Sequence, residues 1–193
     1  MKILAIRLKN LASLAGPFEL DFTAEPLASA GLFAITGPTG AGKSTLLDAL
    51  CLALFGAVPR LNNTGRDAKV PDADGEIATG DPRTLLRRGT GEGYAEVDFV
   101  GIDGRRYRAR WEANRAREKA TGKLQASRQS LRDLDSDQLL ASQKGDYKVQ
   151  LEARLGLNFE QFTRAVLLAQ SEFSAFLKAD DNERSELLEK LTD

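Results

Sequence analysis

Gly31-Leu32-Phe33-Ala34-Ile35-Thr36-Gly37-Pro38-Thr39-Gly40-Ala41-Gly42-Lys43-Ser44-Thr45 is the stretch that decides how this chain folds. It holds a complete G-x-x-x-x-G-K-[ST] loop from Gly37 to Ser44. An apolar, strand-like segment, Leu32 to Thr36, leads in, and the helix-forming run Leu46 to Phe55 follows. Each part has a chemical job. Gly37, Gly40 and Gly42 let the backbone curl around Pro38, Thr39 and Ala41, so that successive N–H groups point inward at phosphates. The helix that follows adds the unpaired N–H groups of its first turn, around Thr45, and the positive end of its dipole. Lys43 is expected to neutralise the β/γ-phosphates and the Ser44 hydroxyl to ligate Mg²⁺. A glycine-rich turn that binds nothing accounts for a lone GxxG. It does not account for eight matched positions set between a strand and a helix. The stretch predicts a nucleoside triphosphate site.

The rest of the composition narrows the class. The 193 residues fit one domain, long enough to bury about 70% of its unfolded surface. An apolar content of 42% and a charged content of 28% are those of a soluble globular protein. Net charge is −1, so any case for nucleic acid must come from local clusters. Cys51 is expected to be a small core residue in a reducing compartment. Lys2, Arg7 and Lys9 interrupt the N-terminal apolar residues, which argues against a signal peptide. Ala49 to Val58, the longest stretch without a polar side chain, is ten residues and too short to span a bilayer. A cytoplasmic, nucleoid-associated protein without a membrane partner is the expectation. The absence of histidine excludes Ser-His-Asp and Cys-His catalysis and His-ligated zinc on this chain.

Lys2 to Lys9 and Phe18 to Phe22 read as two paired strands, which predicts a small antiparallel sheet beside a main nucleotide-binding sheet. Ala57 to Gly80 reads as a long polar loop, and Asp81 to Gly89 as a short turn or helix with a good N-terminal cap. Tyr94 to Val100 and Arg105 to Glu112 form a hairpin with turn chemistry at Asp103-Gly104. A further strand is expected from Leu124 to Leu134, and helical spacing from Lys148 to Leu155 and from Phe159 to Val166. Val166 to Ala169 reads as a buried strand ending at Gln170, and Asp180 to Asp193 as a charged amphipathic helix.

Three blocks carry a resemblance: Met1-Lys2-Ile3-Leu4 through Lys9-Asn10-Leu11, Gly31 to Ser44, and Phe162-Thr163-Arg164 to Leu167-Leu168-Ala169-Gln170-Ser171-Glu172-Phe173. Together they resemble the SbcC family, the bacterial branch of ABC-type ATPases that work with a nuclease in DNA double-strand-break processing. The resemblance implies an α/β P-loop NTPase fold, the N-terminal lobe of an ABC-type head with an additional antiparallel β-subdomain, over residues 1–179. Residues 180–193 would then lead into a coiled coil. It also implies ATP and Mg²⁺ as ligands, with Gln170 helping to coordinate the metal and orient the attacking water. By its residue type alone Gln170 reads rather as an ordinary polar residue ending a buried strand, since a lone Gln carries no motif. Asn10 and Ser13 would lie near the nucleotide base, although Asn-x-x-Ser is also a plain turn. The implied partners are the C-terminal lobe of the same protein, a second head, an SbcD-type metal-dependent nuclease and double-stranded DNA.

Such a site also needs an apolar Walker B strand ending in Asp-Glu, and a Leu-Ser-Gly-Gly signature loop. Neither occurs here, so the fragment alone is expected to hydrolyse ATP negligibly. The second signal is basic. From Gly104 to Arg132 ten cations face only Glu112 and Glu118, and Arg106, Arg108 and Arg110 alternate along one strand. With Arg105, Arg115 and Arg117 they are candidate DNA-phosphate contacts, and a solvated charged face is the other reading. Two further functional classes stay open at this point, the nucleotide-binding domain of a membrane transporter and a condensin-like chromosome ATPase.

Overall fold

A computed structural model describes residues 1–62, 68–73 and 75–165. The chain divides into two units, Met1–Gly156 and Leu157–Asp193. The first is organised by a six-stranded sheet in the order β2-β1-β5-β6-β7-β8. Its strands are β1 (Lys2–Lys9), β2 (Phe18–Asp21), β5 (Glu92–Val100), β6 (Arg106–Asn114), β7 (Arg128–Asp133) and β8 (Gln138–Ala141). Every pairing in it is antiparallel. A separate hairpin joins β3 (Lys69–Asp72) to β4 (Gly75–Ala78). The helices are α1 (Lys43–Phe55), the single turn α2 (Pro59–Asn62) and α3 (Lys144–Leu155).

Strand alternation sorts the two faces of the sheet. Ile6 and Leu8, Ala95, Val97 and Phe99, Tyr107, Ala109, Trp111 and Ala113, and Leu131 are all buried on one face. α1 packs there, apolar nearly all round, with Leu46, Ala49, Leu50, Cys51, Leu52, Ala53 and Leu54 buried. Gly56 ends it in the left-handed conformation at φ 64°, its N–H donating to the Leu52 carbonyl at 2.8 Å. α3 lies against β7 and β8 through the buried Tyr147, Leu151 and Leu155. Of the second unit, α4 (Phe159–Ala165) is described. It opens on a capping box, in which Asn158 Oδ1 accepts from the Gln161 N–H at 2.9 Å and Gln161 Oε1 from the Asn158 N–H at 3.0 Å.

The opposite face of the sheet is ionic. Arg7 on β1 donates to Glu19 on β2 at 2.7 Å and to Asp98 on β5 at 2.8 Å. Arg108 on β6 meets both oxygens of Asp98 at 2.7 and 2.8 Å, and Arg110 reaches Glu96 at 3.0 Å and Glu112 at 3.2 Å. Registers that set Arg7 opposite Glu96, Asp98 opposite Arg108 and Glu96 opposite Arg110 make these pairs cross-strand neighbours. Glu96 and Asp98 are themselves buried beneath the arginine stems. Burial opposes ionisation of Asp98, but the hydrogen bonds from Arg108 and Arg7 outweigh it and hold the carboxyl below its usual range.

Several expectations are corrected. Leu32 to Thr36 forms no strand: Leu32 is 93% exposed, and no described strand lies beside the segment to complete its hydrogen bonds. The described sheet is accordingly antiparallel throughout, with β1 and β2 part of it rather than a separate small sheet. The expected loop over residues 57–80 contains α2 and the β3–β4 hairpin. β7 is shorter than Leu124 to Leu134, and Leu124 makes only an isolated bridge to Arg115. Val166 to Ala169, Gln170 and the helix expected from Asp180 to Asp193 lie outside the described residues.

Candidate nucleotide-binding site

The candidate phosphate-binding loop, Gly37 to Ser44, runs into α1 without a break. Gly37, Gly40 and Gly42 all take positive φ, at 150°, 84° and 94°. Gly42 is the N-cap of α1 in the left-handed region, with no side chain donating or accepting at the cap. The first intrahelical bond runs from the Leu46 N–H to the Gly42 carbonyl at 3.2 Å. The N–H groups of Lys43, Ser44 and Thr45 therefore have no partner inside the helix, the arrangement that suits a phosphate oxygen. Lys43 Nζ donates to the carbonyls of Gly37 at 2.7 Å and Pro38 at 2.9 Å, which lays the ammonium across the mouth of the loop. Pro38 to Ala41 are exposed, and the Ala41 N–H donates to the Pro38 carbonyl at 3.2 Å.

Thr45 is buried and Ser44 exposed at the same helix start, so only the serine hydroxyl is open to a metal. One hydroxyl suits Mg²⁺, a hard cation that takes few protein ligands and keeps its waters and phosphate oxygens. Among the described residues no group of three or more His, Cys, Asp or Glu could hold a metal ion. Asp48, one turn further along α1 and buried, is answered by Arg60, whose Nη2 lies 2.7 Å from Oδ2.

The turn after β1 comes to the same place. The Leu14 side chain packs on the α-carbon of Gly42, where an added Cβ would lie 2.7 Å from Leu14 Cδ2. Asn10 and Ser13 are thus carried beside the loop, but Asn10 is already engaged, its Nδ2 donating to the Glu92 carbonyl at 2.9 Å. The Ser13 carbonyl accepts from Arg87 Nη1 at 2.6 Å. Leu14 and Arg87 were not candidates in the sequence. Leu14 is one of many leucines, and Arg87 stands in a Leu-Leu-Arg-Arg-Gly run with nothing to tie it to a loop 74 positions earlier.

The candidate basic residues lie on or beside β6, and the fold meets most of them with carboxylates. Arg105 reaches Asp133 at 2.6 Å and Arg106 reaches Asp135 at 2.7 Å. Arg108 and Arg110 belong to the ionic face described above, and Arg115 donates to Asp72 on β3. That bond holds the Asp72 carboxyl below its usual range. Arg117 is exposed in a short 3₁₀ turn, Ala116–Glu118, with no side-chain hydrogen bond or ion pair to a described residue. No described helix is long and apolar enough to cross a membrane.

Residues 5–193 match the model of an AAA domain family. The chain is 72% identical, over its whole length, to the SbcC component of the SbcCD nuclease of Pseudomonas aeruginosa, and 56% identical to that of Rhodobacter capsulatus. It is 30% identical over 97% of its length to a probable DNA double-strand break repair Rad50 ATPase of Aquifex aeolicus. In each case the chain spans 16% of the relative's length. The match along the whole chain identifies it as a member of the AAA domain family, of the SbcC type.

Proposed function

We propose that the chain is the ATP- and Mg²⁺-binding lobe of a split ABC-type ATPase head in a DNA double-strand-break processing machine. The observation that carries the reading is the Gly37–Thr45 loop, with its uncapped helix start and with Lys43 laid across it, in a chain 72% identical to an SbcCD component. Gly37 to Thr45 would wrap the phosphates, and Lys43 would turn from the Gly37 and Pro38 carbonyls to the β/γ-oxygens. Ser44 would supply one ligand to Mg²⁺, and Gln170 a second together with a hydrogen bond to the attacking water. Asn10 and Ser13 would border the base.

In this reading the acidic and signature elements come from the C-terminal lobe and from a second head, so that two ATP molecules close a homodimer and the closure regulates an SbcD-type nuclease. Residues 1–179 form the lobe, and residues 180–193 begin the helix toward a coiled coil. Exposed Leu32, Phe33 and Ile35 fit a segment that gains strand neighbours from that other lobe. Double-stranded DNA would be met by Arg117 and by the half-exposed Arg105 and Arg106, which retain donors beyond those given to Asp133 and Asp135. Arg108, Arg110 and Arg115 serve the fold first.

The test is a titration with a fluorescent ATP analogue and Mg²⁺, followed by a turnover assay. The chain should bind and Lys43→Ala should bind roughly a hundredfold more weakly, while hydrolysis stays negligible until the C-terminal lobe is added. Robust turnover by the chain alone would sink the split-head reading.

A further inference from the structure

The turn that carries Leu14 is an unusual object to hold one wall of a phosphate site. Leu11 and Leu14 exchange both backbone hydrogen bonds, at 3.0 and 2.9 Å, and the Asn10 N–H donates to the Ala15 carbonyl at 2.7 Å. To turn so tightly, two non-glycine residues adopt positive φ, Asn10 at 53° and Ala12 at 46°. That conformation is costly for such residues and persists only where neighbours hold it. Among the described residues, the hydrogen bonds that reach the turn from elsewhere in the chain come from one segment, residues 85–92. The Ala12 N–H donates to the Leu85 carbonyl at 2.8 Å, the Arg87 N–H to the Asn10 carbonyl at 2.9 Å, and Asn10 Nδ2 to the Glu92 carbonyl. The side chain of Arg87 closes the set. Its Nη1 donates to the Ser13 carbonyl at 2.6 Å and to the Ala12 carbonyl at 3.2 Å, gripping the tip of the turn next to Leu14.

We propose that Arg87 is a positioning residue for the nucleotide site, acting through the Ala12 and Ser13 carbonyls and the Leu14 side chain on Gly42. A charged donor shared between two carbonyls resists tilting of the turn tip. With the tip fixed, Leu14 stays packed on Gly42 and holds the N-cap in the left-handed conformation that aims the Lys43, Ser44 and Thr45 N–H groups at one point. Arg88, next in sequence, supplies an internal control. It is exposed and lines a different cavity of about 280 Å³, with Arg83, Arg115 and Asp72, and bonds to nothing in the turn. The inference rests on the reading of Gly37–Thr45 as an ATP site.

The experiment compares Arg87→Met, Arg87→Lys, Arg88→Met and Leu14→Ala in the full chain, reading ATP affinity by calorimetry and the Ser44 and Thr45 amide resonances by NMR. Arg87→Met should raise the ATP Kd about five- to tenfold, the loss expected when hydrogen bonds from a charged group are removed. It should also shift both amide resonances. Arg87→Lys should restore affinity to within about twofold, because an ammonium can serve the same two carbonyls. Arg88→Met should change neither readout. Should Arg87→Met fail to fold, Leu14→Ala must still weaken ATP binding, and unchanged affinity there overturns the proposal. So does an Arg87→Met chain that binds like the parent, or an Arg87→Lys chain that binds no better than Arg87→Met. If the parent itself does not bind ATP, the nucleotide-site reading falls. Arg87 is then judged by the amide resonances alone, and unmoved resonances overturn its role.

Discussion

The Tyr147 hydroxyl donates to the carbonyl oxygen of Ala53 at 2.6 Å, a bond that joins α3 to the last turn of α1 inside the core. Carbonyls in the last turn of a helix lack intrahelical partners, so this phenol satisfies a group that is otherwise stranded. Burial pushes the Tyr147 phenol well above its ordinary range, which keeps it a donor at every working pH. Tyr147→Phe should cost about 1–2 kcal/mol in denaturant unfolding and leave ATP affinity unchanged.

At Gly42 conformation and space act together. A side chain there meets a φ of 94° and the Leu14 methyls. Gly42→Ala should lower stability by about 1–2 kcal/mol and weaken ATP binding more than tenfold. Lys43→Ala separates the two effects. The Lys43 bonds to Gly37 and Pro38 are at the surface, so stability should hold while ATP binding falls roughly a hundredfold.

The ionic face gives the fold an acid limit. Asp98 is held below its usual range, and such a group contributes stability that is present above its unfolded pKa and lost as pH falls through the folded value. Thermal stability should be level from about pH 7 to about pH 5 and decline below about pH 4. Asp98→Asn should remove about 2 kcal/mol at neutral pH and flatten that decline. A variant that keeps the full acid sensitivity of the parent would contradict the assignment.

Arginines on and beside β6 should separate by role. Arg108→Ala should lower stability by about 1 kcal/mol, allowing for its partial exposure, with duplex DNA affinity unchanged. Arg117→Ala should leave stability alone and reduce the log–log salt slope of DNA binding by about 0.9. Anisotropy titrations at several salt concentrations measure both.

Burial pushes the Cys51 thiol up to about 12. A disulfide reagent at pH 8 should label it only as fast as the chain opens, and labelling should accelerate with denaturant in step with unfolding.

Legibility from sequence followed how local each interaction is. β5 and β6 read clearly because apolar and polar residues alternate from Ala95 to Phe99, burial alternates along β6, and Asp103-Gly104 marks their turn, where Asp103 Oδ1 accepts from the Arg105 N–H at 3.1 Å. α1 read clearly because its apolar run is long and Gly56 closes it. Asp81 was legible as a cap, and it accepts from the Arg83 N–H at 2.9 Å. The β3–β4 hairpin was hidden because Pro71 and the polar Asp72 and Glu76 disguise the pairing of Val70 with Ile77. Leu32 to Thr36 misled in the other direction, since β-propensity without a neighbouring strand makes no ladder. Within the candidate site the loop itself was written in the residues. Its support by Leu14 and Arg87 was not, because backbone carbonyls as partners leave no trace in side-chain pattern. The arginines of β6 show the same limit, since a charge count does not reveal which carboxylate stands one strand away.

The sheet order sets the sequence of events in folding. β5, β6, β7 and β8 follow one another as a meander, with tight turns between β5 and β6 and between β7 and β8 that can close within microseconds and a longer connection, residues 115–127, between β6 and β7. β1 must instead find β5 across the chain, as the Lys9–Glu92 pair 83 positions apart shows. Closing so long a loop carries an entropic cost that no local contact offsets beforehand. The whole candidate phosphate-binding loop lies inside that span, and the turn bearing Leu14 takes hydrogen bonds from residues on its far side. Nucleation should therefore fall in the β5–β8 meander, with docking of β1 late and rate-limiting. A nascent chain would complete the candidate nucleotide site only at that last step, well after the β5–β8 part of the sheet has formed.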